Sequence, residues 1–71
     1  MNGVDVPVDE WTERIRAEYR EMPGLVLFKW QMRRLWQIDV HVCDAAIDAL
    51  VESMFLRRRA DNAYVRVDGS V

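Results

Sequence analysis

A mainly α fold closed by a small β-hairpin is what this 71-residue sequence predicts, and three observations carry the expectation. Cys43, Ala46, Ile47, Leu50, Val51 and Met54 follow an i, i+3, i+4, i+7, i+8, i+11 series, the apolar stripe of an amphipathic helix. The segment LVLFKWQMRRLWQI stands before it across a short turn and reads mostly as another helix. The segment FLRRRADNAYVRV follows it as two strand-like runs around a polar turn. Helix, short turn, helix and hairpin in that order form the layout of a winged helix-turn-helix. That layout sets one helix against a partner surface, most often the DNA major groove, with the hairpin beside it. The expectation is three helices plus a two- or three-stranded wing in a single domain, 1–71, with frayed ends at 1–6 and 68–71.

The elements follow in order. The first helix begins near Pro7 or Val8, where proline suits the first turn and Asp9 and Glu10 complement the positive end of the helix dipole. Val8, Trp11, Ile15, Tyr19 and Met22 recur at spacings of three and four and mark its buried face. Glu10 with Arg14, and Arg14 with Glu18, can pair on the solvent side for about 0.3 kcal/mol each. Pro23-Gly24 ends the helix. Leu25-Val26-Leu27 fits a brief first strand that pairs with the later hairpin.

The second helix runs from Lys29 to Gln37, with a buried stripe of either Trp30, Leu35 and Ile38 or Met32, Leu35 and Trp36. Its turn, Gln37-Ile38-Asp39, lacks the glycine often found there, and Asp39 is suited to N-cap the third helix. Opposite the third helix's apolar stripe lie His41, Asp44, Ala45, Asp48 and Glu52. Phe55 to Arg59 and Tyr64 to Val67 make the wing, and Asp61 and Asn62 tolerate the left-handed backbone of a hairpin turn.

A chain this short buries only about 60% of its unfolded surface, so it has no room for a large catalytic cavity beside a core. Its 51% apolar and 31% charged residues are ordinary for a globular domain. Trp11, Trp30 and Trp36 are expected to supply core or dimer contacts. A single cysteine, Cys43, rules out an internal disulfide. No apolar run approaches the roughly 20 residues of a membrane span, and MNGVDVPVDE lacks the features of a signal peptide. The expected setting is the cytoplasm, without a membrane.

A net charge of −2 conceals a segregation by element. Lys29, Arg33 and Arg34 stand in residues 25–38 without an acid, and Asp39, Asp44, Asp48 and Glu52 in residues 39–53 without Lys or Arg. The wing carries Arg57, Arg58, Arg59 and Arg66. These seven cations are the candidate phosphate contacts, since neutralising phosphates supplies most non-specific DNA affinity. They equally suit a solvated basic face that balances the acidic helices. Strand alternation sends Arg57 and Arg59 one way and Arg58 the other, so only part of the triplet can meet one ligand.

His41, Asp44 and Ala45 are the candidate base contacts: Asp can accept from cytosine, and His can donate to guanine. Four acids on that helix repel a polyanion, which makes a solvated face the stronger reading. Phe28, Trp30 and Trp36 are a candidate protein interface, and aromatics beside Lys29 and Arg33 also fit the chemistry of stacking on single-stranded bases. His41 and Cys43 point to different faces, which argues against a metal site. No phosphate loop, paired-acid cleft or nucleophile signature occurs, so neither catalytic residues nor cofactors are expected.

Met22-Pro23-Gly24-Leu25, Gln31, Arg34-Leu35, Cys43, Asp48, Leu50-Val51 and Phe55-Leu56-Arg57-Arg58 resemble a group of small bacterial winged helix-turn-helix proteins, most of uncharacterised role. Their pattern runs MPGL, then QAxRL, then LDxLVxxGFLxR, and the similarity covers about residues 18–66. The resemblance implies DNA binding or transcription control. Three positions depart from it: Phe28 replaces a capping Thr, Gln37 a turn glycine, and Met54 the glycine after the third helix. The leading expectation is a small non-enzymatic module that binds double-stranded DNA, as a homodimer, through the second helix and wing. The alternative is a protein-interaction module on the same fold, using its aromatic or acidic surface.

Overall fold

A computed structural model describes residues 8–67, so Pro7 and the ends expected to fray lie outside the described residues. The order is α1 (Val8–Glu21), α2 (Lys29–Trp36), α3 (Val40–Glu52), β1 (Leu56–Arg58) and β2 (Tyr64–Arg66). This is the winged helix-turn-helix layout. No helix among the described residues is long and apolar enough to cross a membrane.

Helix α1 buries Thr12, Ile15 and Tyr19 and packs chiefly on α3. The buried Tyr19 hydroxyl donates to the Tyr64 carbonyl at 2.8 Å, which ties the first helix to the last strand. Met22 does not join the buried face and is 48% exposed. The helix ends at Glu21, and a turn closed by Leu25 N–H donating to the Met22 carbonyl carries the chain away. Arg14 lies 4.7 Å over the Trp11 ring, and the ion pair on this helix joins Glu13 to Arg16 at 3.6 Å.

The expected strand at Leu25-Val26-Leu27 shrinks to one antiparallel bridge, in which Leu27 and Tyr64 exchange backbone hydrogen bonds of 3.3 and 2.7 Å. Leu25 N–H is engaged in the preceding turn and Phe28 already caps α2, which leaves only Val26 and Leu27 between them, and of these Leu27 pairs. The sheet is therefore two-stranded, β1 antiparallel to β2, with Leu56 opposite Arg66, Arg57 opposite Val65 and Arg58 opposite Tyr64.

Helix α2 stops at Trp36, one residue early, because Gln37 takes left-handed backbone (φ 54°) as its C-cap. Its core face combines parts of both expected stripes: Met32 and Ile38 are buried and Trp36 is half-buried. Leu35, common to both, is turned out and 63% exposed. Two turns of helix offer one i, i+4 row to the core, and nothing among the described residues covers the row that carries Leu35. Phe28 has no side-chain acceptor for the first turn, but Gln31 supplies the reciprocal bond, its Oε1 accepting from Phe28 N–H at 2.9 Å.

Asp39 caps α3 as expected, with Oδ2 accepting from His41 N–H at 2.8 Å and Val42 N–H at 3.4 Å. Cys43, Ala46, Ile47 and Leu50 are buried along that helix, whereas Val51 and Met54 are exposed. The helix ends before the stripe does. Met54 adopts φ 66°, Phe55 N–H donates to the Leu50 carbonyl at 2.9 Å, and Met54 N–H donates to the Val51 carbonyl at 3.0 Å. This pattern is a Schellman stop.

The core is Ile15, Tyr19, Leu27, Met32, Ile38, Cys43, Ala46, Ile47, Leu50, Leu56 and Tyr64. Of the tryptophans expected to make core or dimer contacts, none lies within the core: Trp11 and Trp36 pack on its rim, and Trp30 is 52% exposed. This small core is filled by Tyr19, Tyr64 and smaller side chains, and a large indole fits its edge more readily than its centre. Burial raises the Cys43 thiol above its ordinary pKa, with Asp44 adding to the rise and Lys29 and Arg33 opposing it.

Candidate nucleic-acid interface

Two helical residues, Lys29 and Arg33, stand four apart and so share one face of α2. Across from them, Arg58 and Tyr64 are a cross-strand pair of the wing and share one face of the hairpin. These two faces border an open groove of about 350 Å³, completed by Phe28, Trp30 and Asn62. Asn62 reaches it from the hairpin turn, where it takes φ 75° and Asp61 Oδ1 accepts from Ala63 N–H at 3.2 Å. The groove lining thus has three cations and no carboxylate.

The three cations differ in freedom. Lys29 Nζ lies 3.1 Å from Asp44 Oδ1 and 5.7 Å over the Tyr64 ring. Burial lowers the pKa of this ammonium, but the Asp44 hydrogen bond and the attraction of Tyr64, Asp44 and Asp48 outweigh it and hold the value above the ordinary one. Arg33 and Arg58 make no ion pair with any described residue. They are the unpaired charges of the groove.

Beyond Arg58 and Tyr64 the character reverses. Asp48, Val51 and Glu52 of α3 face these same two side chains across a second open groove of about 500 Å³. Arg58 and Tyr64 therefore divide a basic channel from an acidic one.

The remaining candidates disperse. Arg34 and Arg57 are exposed and make no ion pair with a described residue, and alternation places Arg57 on the hairpin face opposite Arg58. Arg59 lies outside the strand and pairs with Asp61 at 2.9 Å. Arg66 lies 5.6 Å over the Phe55 ring, which Arg16 also approaches at 5.2 Å. On α3, His41 is exposed and Ala45 half-buried, while the Asp44 carboxylate is already engaged by Lys29.

Phe28 and Trp30 stack at the groove, with ring centroids 6.3 Å apart and planes within 15°. Trp36 is elsewhere, in a cleft of about 250 Å³ lined by Trp11, Arg14, Ile15 and Glu18. The three aromatics considered together as one interface thus lie on two surfaces.

Sequence reasoning did not place Asn62 or Tyr64 at the site, nor separate Arg58 from its neighbours as the one that converges with α2. The register supplies the missing signal: once Arg58 is paired with Tyr64, both belong to one face, and the turn residue Asn62 follows. Among the described residues no group of His, Cys, Asp or Glu is arranged to hold a metal ion. No family model, curated protein or solved structure matches this chain.

Proposed function

We propose that this chain is a small non-enzymatic winged-helix module of transcription-regulator type that binds double-stranded DNA by gripping backbone phosphates between α2 and the wing. One observation carries the reading: Lys29 and Arg33 of α2 and Arg58 of the wing line one groove, and its lining holds no carboxylate. Convergent cations without intervening acids provide the sequence-independent attraction that a polyanion meets first. Arg34 and Arg57, exposed on either side, extend that attraction. With about two unpaired cations in contact, the logarithm of affinity falls with the logarithm of salt at a slope of about −2.

The test is fluorescence anisotropy of a labelled duplex across a salt series, with the wild type and the doubly reversed Arg33→Glu/Arg58→Glu chain. The wild type binds at low salt and weakens steeply, and the variant does not bind although its far-UV dichroism is unchanged. Equal affinity of the two proteins overturns the phosphate grip.

The acidic groove of Asp48, Val51 and Glu52 favours a second reading, a protein-interaction module for a basic partner. An Asp48→Lys/Glu52→Lys chain separates the two readings: it tightens on duplex if that face only repels phosphate, and loses a protein partner if that face recruits one.

A further inference from the structure

We infer that the groove between α2 and the wing accepts an unpaired nucleotide, so that this chain binds single-stranded nucleic acid in preference to duplex. The inference rests on the phosphate-gripping groove proposed above and changes its preferred ligand from a duplex to a single strand. It begins with an aromatic expenditure that the core does not explain. Trp30 is half exposed beside the groove, and Phe28 occupies a helix-capping position where a side-chain oxygen is favoured. The two rings lie nearly parallel with centroids 6.3 Å apart, and the half-exposed indole keeps a solvent-facing surface. An exposed indole beside unpaired arginines is an arrangement on which bases stack while the backbone follows a positive channel.

Charge separates a strand from a duplex at this surface. A duplex gripped between α2 and the wing that also spread past Arg58 would bring its phosphates against Asp48 and Glu52, which line the channel there. A single strand confined to the α2 side meets Arg33 and Arg58 and no lining carboxylate. The Asn62 amide, held at the groove by its left-handed turn, offers both a donor and an acceptor to a base edge. In a duplex the Watson–Crick edge is already paired, so only an unpaired base can present that edge to the amide.

The probes are a fluorescein-labelled oligothymidylate, which cannot pair with itself, and a labelled mixed-sequence duplex of the same length, both read by anisotropy at low salt. The strand is expected to bind more tightly than the duplex and to quench indole fluorescence. Trp30→Ala is expected to weaken strand binding about tenfold, as loss of one stacked base does, and Trp30→Phe to recover most of it. Far-UV dichroism of each variant controls for folding. If the strand binds no tighter than the duplex, or Trp30→Ala leaves strand affinity unchanged, the inference is overturned. The phosphate grip then still stands, provided that Arg33→Glu/Arg58→Glu abolishes duplex binding. Failure of the wild type to bind either probe overturns both.

Discussion

Replacing Met54 with glycine should stabilise this protein, although it removes a large apolar side chain. Met54 follows α3 at φ 66°, where an L side chain crowds the following carbonyl at a cost of about 1–2 kcal/mol. Glycine is indifferent to that region, but its freer unfolded chain gives back about 0.4–1 kcal/mol. Little burial is at stake, since Met54 is 71% exposed. The Schellman bonds from Phe55 and Met54 N–H are backbone bonds that the substitution leaves in place. The net gain is about 0.5–1 kcal/mol, which for a domain of this size raises Tm by about 3–6 °C. Urea titration followed by far-UV dichroism reads it as a higher midpoint at unchanged slope. Met54→Ala is the control: it deletes the same side chain, keeps the Cβ, and gains nothing. If Met54→Gly has a lower midpoint, or matches the alanine variant, left-handed strain is not what this position costs. Gln37, at φ 54° after α2, should respond to glycine in the same direction.

Tyr19→Phe should cost about 1 kcal/mol at neutral pH, since it removes the buried bond to the Tyr64 carbonyl, which Leu27 N–H still partly satisfies. The same substitution should change the alkaline response. Burial pushes the Tyr19 hydroxyl well above its ordinary 10.0, only partly offset by the backbone at Leu27, so the unfolded chain loses this proton first. Its stabilisation is complete below about pH 10 and falls as pH rises from there, and thermal melts of Tyr19→Phe should show a shallower decline over that range. Asp44→Asn frees Lys29 from the carboxylate 3.1 Å away and should tighten duplex binding, steepening the salt slope by about 0.9. Weaker binding by that variant would mean that Asp44 positions Lys29 for the ligand and does not mask it.

The chain's local chemistry determined its elements. Asp39 marks the start of α3 because its carboxylate can reach the first free amides, and Cys43, Ala46, Ile47 and Leu50 recur on one side of a helix whatever packs there. Pro23-Gly24 and Asp61-Asn62 likewise stop or turn the backbone by conformational preference alone. Tertiary packing decided the facing of each element and the company each side chain keeps. Leu35 and Met32 have similar hydrophobicity and compatible spacing, yet one is exposed and the other buried, because α2 has only one row against the core. Three tryptophans suggested a tryptophan core, but the interior of so small a unit is closed by smaller side chains, with the indoles left at its rim or outside it. The candidate site shows the same division. That α2 and the wing are basic is a property of composition; that Arg33 and Arg58 converge, while Lys29 is tied to Asp44, follows from hairpin register and from how α2 lies across α3. Those relations hold between residues far apart in the chain, and local propensity carries no term for them.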